Sequence, residues 1–279
     1  MDVYSRILDL FEKHRFKATF AFVSALCMDA EELQGMLAGV ELRYSGRNWL
    51  ATPLDEIACG AVDGWCVPEL LERVRSRGVH HICTHGGTHL PYSNDATPQE
   101  AVTWDIDFAR RHFERLKLGW GGIVFPRNVT GHLETLAGSG IAFYRSMDRA
   151  EQVGGKVGKA IRLANEYVSA DRFGLRLVGD REGNLPAALS PGKFINARIG
   201  FRRHVPSNMT LHRVETMLKL ACSHNRILHL YTHPHNFIND GEMFRKLECI
   251  LSKAGSLVRD GRLDVMTMED EFNDASRAA

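Results

Sequence analysis

Three short polar clusters carry the residue types that do chemistry. The first is Thr84-His85-Gly86-Gly87-Thr88-His89. Two histidines four residues apart can hold one metal ion when the backbone brings their rings together, and neutral imidazole suits zinc and its transition-metal neighbours. Gly86-Gly87 argues against a regular helix here, but glycine permits a tight loop that converges the two rings. The second cluster is Phe125-Pro126-Arg127-Asn128, where Arg127 offers a planar fork of donors that fits a carboxylate. The third is Thr232-His233-Pro234-His235-Asn236. A histidine such as His233 titrates near neutrality and suits general acid work. Asn128, His235 and Asn236 stand beside these groups as substrate contacts or as hydrogen-bonding supports for the ligands. Each cluster also has a plain structural alternative: two hydrogen-bonding loop histidines, a surface arginine, and loop capping by asparagine.

The elements that must position these clusters alternate between helix-like and strand-like segments. Ile7, Leu8, Leu10 and Phe11 give a short helical face, and the apolar run 17–23 reads as a strand. A helix is expected over 67–74, with Pro68 in its first turn, then a strand over 80–84 ending at the first cluster. Further helices are expected at about 97–116, 132–137, 211–221 and 242–258, and strands at 122–125, 141–144, 227–231 and 263–266. Strand-like pieces near 175–178 and 194–199 fall in an irregular stretch, about 148–207, read as an insertion on a single domain spanning 1–279. Strand–helix alternation favours an α/β fold with a mainly parallel sheet, open or closed into a barrel. In such folds the loops after the strands build the site. His85, His89, Arg127 and His233 are therefore expected to line one pocket.

Composition narrows the class. The 279 residues are 44% hydrophobic and 25% charged, with a net charge of +1, ordinary values for a globular protein and no case for nucleic acid as a partner. No run approaches the roughly 18 apolar residues of a membrane span, and the N-terminus lacks a signal-peptide pattern, so a cytoplasmic location is expected. The six cysteines form no CxxC pair and read as buried, reduced thiols.

In order and spacing the clusters resemble the polysaccharide deacetylases, the NodB-homology family. His85 and His89 are similar to that family's HxxxH metal motif, Phe125-Pro126-Arg127-Asn128 to its arginine motif, and Leu230-Tyr231-Thr232-His233 to the late strand bearing a catalytic histidine. The endings 232–237 and 263–268 resemble a subgroup linked with bacterial surface polysaccharide biosynthesis. The resemblance implies a distorted (β/α) barrel and a hydrolase of carbon–nitrogen bonds other than peptide bonds. It would remove the acetyl group from an N-acetylated sugar or polysaccharide precursor, using a divalent metal, most often zinc. His85 and His89 would bind the metal, His233 would protonate the leaving amine, and Arg127 would orient the base. The pattern departs in one respect. The family has a strand ending in two aspartates, a base and a metal ligand, before its first helix, and here Asp2 is the only acidic residue upstream of that helix. The expectation is a barrel without its first strand, with weak metal binding and poor turnover. Asp148 is a candidate replacement, or else a helix N-terminal aspartate. Two other classes stand as alternatives: a non-catalytic carbohydrate-binding or scaffold protein of the same fold, and a hydrolase of another small amide.

Overall fold

A computed structural model describes residues 2–147 and 183–278 and, between them, Gly155, Gly158 and Leu163. The elements, in chain order, are α1 (Val3–His14), β1 (Thr19–Phe22), α2 (Ala30–Leu37), β2 (Arg43–Tyr44), β3 (Arg47–Asn48), α3 (Ala51–Ala58), α4 (Pro68–Arg75), β4 (His81–Thr84), α5 (Gln99–Arg115), β5 (Gly122–Ile123), α6 (Leu133–Gly138), β6 (Phe143–Arg145), β7 (Ala187–Leu189), β8 (Lys193–Phe194), α7 (Ser207–His224), β9 (Leu230–Tyr231), α8 (Asn236–Asn239), α9 (Met243–Arg259) and α10 (Met268–Ala278). They fall into two compact units, one of residues 19–145 and 180–188, the other of residues 1–18, 146–179 and 189–279.

The first unit is built on a sheet of order β1-β4-β5-β6-β7. Its pairs β1–β4, β4–β5 and β5–β6 are parallel, with Phe22 opposite Thr84, Thr84 opposite Ile123, and Ile123 opposite Tyr144. This register brings the C-terminal ends of three strands side by side. The chain thus has a mixed α/β fold with a mainly parallel five-stranded sheet, and among the described residues that sheet does not close into a barrel. Helix α5 shows why the sequence folds this way. Glu100 lies in its first turn and His112 and Arg115 in its last, matching the helix dipole. Ala101, Val102, Asp105, Ile106, Phe108, Ala109, His112 and Phe113 form one buried stripe at three- and four-residue spacing. That stripe joins Val23, Leu90, Tyr92, Ile123, Phe125 and Leu136 in the core of this unit.

In the second unit α1, α7 and α9 pack together. Asp2, the one acidic residue before α1, accepts from the Tyr4 amide at 3.1 Å and caps that helix. Lys246 is fully buried and pairs with Asp240 at 2.8 Å. Strands β8 and β9 form a separate parallel pair, Lys193 opposite Leu230 and Phe194 opposite Tyr231.

Several expected elements change. The strand expected over 194–199 ends at Phe194, and the segment 263–266 forms no strand. A strand needs a ladder, and residues 263–266 find none among the described residues; the segment leads into α10, where Thr267 and Asp270 cap each other. The strand-like piece at 175–178 and most of the stretch read as an insertion lie outside the described residues, as does Asp148. Of the six cysteines, Cys27 and Cys83 are buried, with thiols pushed up to about 12 by desolvation. Cys59 is exposed, because it lies beyond the last buried residue of α3, Ile57, where that helix runs out into solvent.

Candidate active site

The site is assembled where the sheet of the first unit ends. The His85 amide continues the ladder past β4 by donating to Phe22 O at 2.7 Å, and Val124 N–H donates to Thr84 O at 3.0 Å. These bonds set His85 beside the chain leaving β5. The His85 Nδ1 lies 2.6 Å from Val124 O. A carbonyl only accepts, so Nδ1 carries a proton; in the neutral ring this contact selects the tautomer that leaves the lone pair on Nε2. A backbone carbonyl that holds one ring nitrogen is a contact that orients a metal-binding imidazole.

His89 follows through the Gly-Gly loop. Its backbone is left-handed, φ +62°, and its ring centroid comes to 4.9 Å from that of His85, at an interplanar angle of 57°. Burial lowers the His89 pKa and the Arg127 charge lowers it further, so the ring is held neutral, the form that binds a metal.

The loop itself is fixed by Asp105 on α5, which sequence reasoning missed. Its carboxylate accepts from the amides of Gly87 and Thr88 and from the hydroxyls of Thr88 and Tyr92. Burial pushes the Asp105 carboxyl up, and these donors oppose the shift without cancelling it. The glycines make the approach possible. A Cβ on Gly87 would sit 2.4 Å from Asp105 O, and one on Gly86 would meet Asp105 Oδ2 at 3.1 Å.

Arg127 stands at the turn after β5 with φ +53°, and its guanidinium carbon lies 5.1 Å from the centre of the Trp49 ring. The Trp49 indole N–H donates to Thr88 O at 3.0 Å. Trp49 therefore touches both the histidine loop and Arg127; it follows a hairpin, β2–β3, that no periodicity in the sequence announces. Asn128 also has positive φ, and its side-chain oxygen accepts from the Arg145 guanidinium.

His233, His235 and Asn236 belong to the other unit and follow β9. The His233 ring lies 5.2 Å from Phe194, 6.4 Å from Tyr231 and 5.2 Å from His235, with which it stacks at 15°. Asn236 is buried and donates to Thr232 Oγ1 at 3.3 Å, which in turn donates to Ile195 O at 3.2 Å. The structure thus brings His85, His89 and Arg127 together in one unit, and groups His233 and His235 on the other.

Residues 1–118 match the polysaccharide deacetylase family. The matched segment contains Trp49, His85, His89 and Asp105 and ends just beyond α5. No curated protein matches the sequence. Among solved structures the chain is similar to a 4-alpha-glucanotransferase from Thermococcus litoralis, with 14% identity over 97% of this chain and 36% of that one, and a TM-score of 0.49. It is similar to the Xyl-CE4 domain of a multidomain xylanase from the hindgut metagenome of Trinervitermes trinervoides, with 10% identity over 99% and 86% of the two chains, and a TM-score of 0.47. A GH57-type branching enzyme from Pyrococcus horikoshii gives 13% identity over 97% and 63%, and a TM-score of 0.45. The chain spans about a third of the glucanotransferase's length.

The residues present fit a divalent metal in part. His85 and His89 supply two imidazole donors, the first oriented by the Val124 carbonyl and the second with its pKa lowered by burial and by the Arg127 charge. Among the described residues no group of three His, Cys, Asp or Glu side chains gathers for a metal, whereas catalytic zinc commonly takes three protein ligands. Also among the described residues, no helix is long and apolar enough to cross a membrane.

Proposed function

We propose that the chain carries a metal-dependent site for removing the acetyl group from an N-acetylated sugar, with His85 and His89 as the protein's metal ligands. The observation that carries this reading is the histidine pair itself: two converging rings, with one Nδ1 proton held by a backbone carbonyl, inside the segment that matches the polysaccharide deacetylases. A bound zinc or similar ion would supply polarisation of the acetyl carbonyl and an activated water. Arg127, steadied by Trp49, places a fixed positive charge beside His89, where it would orient an anionic group of base or substrate. His233 is assigned the proton delivered to the leaving amine nitrogen, on the strength of its sequence pattern after β9. Asn128, His235 and Asn236 are assigned supporting or substrate contacts on the same ground.

With two ligands gathered among the described residues, metal affinity of the pair is inferred to be weak and turnover low. The same observation favours a second reading, a carbohydrate-binding protein that does not turn its ligand over. Acetate release from N-acetylated oligosaccharide, measured with added zinc, separates the two. The deacetylase reading expects release that is lost in His85→Ala and His89→Ala. Sugar binding without release, unchanged in both variants, would establish the second.

A further inference from the structure

The backbone between the two histidines is held from both sides. Its carbonyls are engaged by the 3-10 turn Ser24–Cys27, with Ser24 N–H donating to Gly86 O at 3.2 Å and Ala25 N–H to Gly87 O at 2.8 Å. Its amides are engaged by a single carboxylate. Asp105 Oδ2 accepts from Gly87 N–H at 2.7 Å and from the Tyr92 hydroxyl at 2.8 Å. Asp105 Oδ1 accepts from Thr88 N–H at 2.8 Å and from the Thr88 hydroxyl at 2.6 Å. The residue is 0% exposed, and a charge so buried is costly unless it is fully hydrogen-bonded. A helix that only had to pack would carry an apolar residue in this stripe. Here α5 carries a carboxylate at the one place where Gly86 and Gly87 let it touch the loop.

We propose that Asp105 is a positioning residue for the metal pair: by fixing the amides of Gly87 and Thr88 it holds His89 in its left-handed backbone with its ring against that of His85. This rests on the reading of His85 and His89 as metal ligands. The test is Asp105→Asn. Each carboxylate oxygen faces two donors, so an amide turned either way sets N–H groups against N–H groups. Two readouts are taken. The first, on metal-free protein, is the ring-to-ring nuclear Overhauser effect between His85 and His89. The second is zinc affinity by calorimetry. The expected result is a folded variant that loses the ring contact and binds zinc about 10- to 100-fold more weakly, the usual cost of removing a group that orients a ligand. Thr88→Val, which removes one donor at nearly constant volume, should shift both readouts in the same direction by less, and it carries the test if Asp105→Asn does not fold. Leu136→Ala, a core truncation in the same unit, should lower the melting temperature and leave both readouts unchanged. The proposal is overturned if Asp105→Asn keeps the ring contact and the affinity, or if Leu136→Ala weakens zinc as much. If the unaltered protein binds zinc no better than the His85→Ala/His89→Ala double variant, the metal reading fails; the ring contact still decides whether Asp105 positions the two histidines.

Discussion

His85 shows how much of a site resides in one backbone contact. The Val124 carbonyl selects the tautomer, and Val124 is in place because β5 runs parallel to β4 in a register that sets Ile123 opposite Thr84. Arg127 is steadied in another way, by an aromatic face rather than an acid. Contacts of this kind are worth about 0.5–1 kcal/mol at exposed sites, enough to bias a flexible side chain without freezing it. Trp49→Phe should keep the ring under Arg127 and lose only the bond to Thr88 O. Trp49→Ala should lose both. The ring-current shift on the Arg127 side-chain resonances is therefore expected to persist in the first variant and vanish in the second. Loss of the shift in Trp49→Phe would show that the indole N–H, and not the ring face, holds Arg127. The histidines and Arg127 were legible in the sequence because their types and spacing are chemical. Trp49 and Asp105 were not. Tryptophan reads as generic core, and one acid within a helical pattern reads as surface until the helix face is known.

At the scale of elements, the sequence was most legible where periodicity is long. The expected helices at 97–116 and 242–258 form as α5, Gln99–Arg115, and α9, Met243–Arg259. Short strands were less legible, since a run such as 263–266 becomes a strand only if a neighbour pairs with it. The reach from Ser24 to Ala58, with a 3-10 turn, two helices and a hairpin of two-residue strands, offers no period long enough to read. Glycines separate packing from propensity in a testable way. Gly87→Ala places a methyl 2.4 Å from Asp105 O and should destabilise by about 1–3 kcal/mol, the usual cost of overpacking. Gly35 sits inside α2 with nothing within 4 Å of an added Cβ, so Gly35→Ala should stabilise by roughly 0.5–1 kcal/mol. Urea unfolding of both variants checks the pair, and a Gly87→Ala protein as stable as the original would show that the helix and loop can separate at little cost. In the other unit, Lys246 links Asp240 to Asn196 O and so ties α9 to the chain after β8. Burial alone would raise the Asp240 pKa, but donors from Lys246, Arg198 N–H and Glu242 N–H hold it below the ordinary value. Lys246→Ala leaves that carboxylate buried without its counter-charge, held by the two backbone N–H donors alone, and should cost about 3 kcal/mol, the lower end for breaking a buried pair. A loss under 1 kcal/mol in the same unfolding measurement would contradict this account.

For the whole molecule, acid stability follows from which groups the fold holds away from their ordinary titration. His112 is 2% exposed on α5, its two ring nitrogens are without hydrogen-bond partners among the described residues, and desolvation lowers its pKa to about 4. The unfolded chain gains this proton near 6.5, so the stability associated with neutral His112 is intact above that pH and is lost as pH falls from 6.5 towards 4. His80 and His89, also lowered by burial, act in the same sense. A second stage lies lower. Asp270 is held at about 2: burial would raise it, but hydrogen bonds from Lys17 and Thr267 prevail. Its contribution is present above its ordinary value of 3.8 and lost between there and about 2, and Asp240 acts in the same direction. Asp105 and Glu271 oppose these losses, because burial raises both and their protonation in the fold adds stability as the pH drops through their raised values. The wild-type profile is thus a sum of terms of both signs, and a difference measurement isolates one of them. His112→Leu keeps the volume of the side chain and removes the titrating ring with its two unpartnered nitrogens. It should be at least as stable as the wild type at pH 7, and its advantage should grow by about 1.4 kcal/mol per pH unit between 6.5 and 4, the value of one proton bound by the unfolded chain alone. Below pH 4 the two profiles should run parallel. An advantage that stays constant from pH 7 to pH 4 would mean that His112 takes up its proton in the fold as readily as in the unfolded chain, and that the acid sensitivity of this protein originates elsewhere.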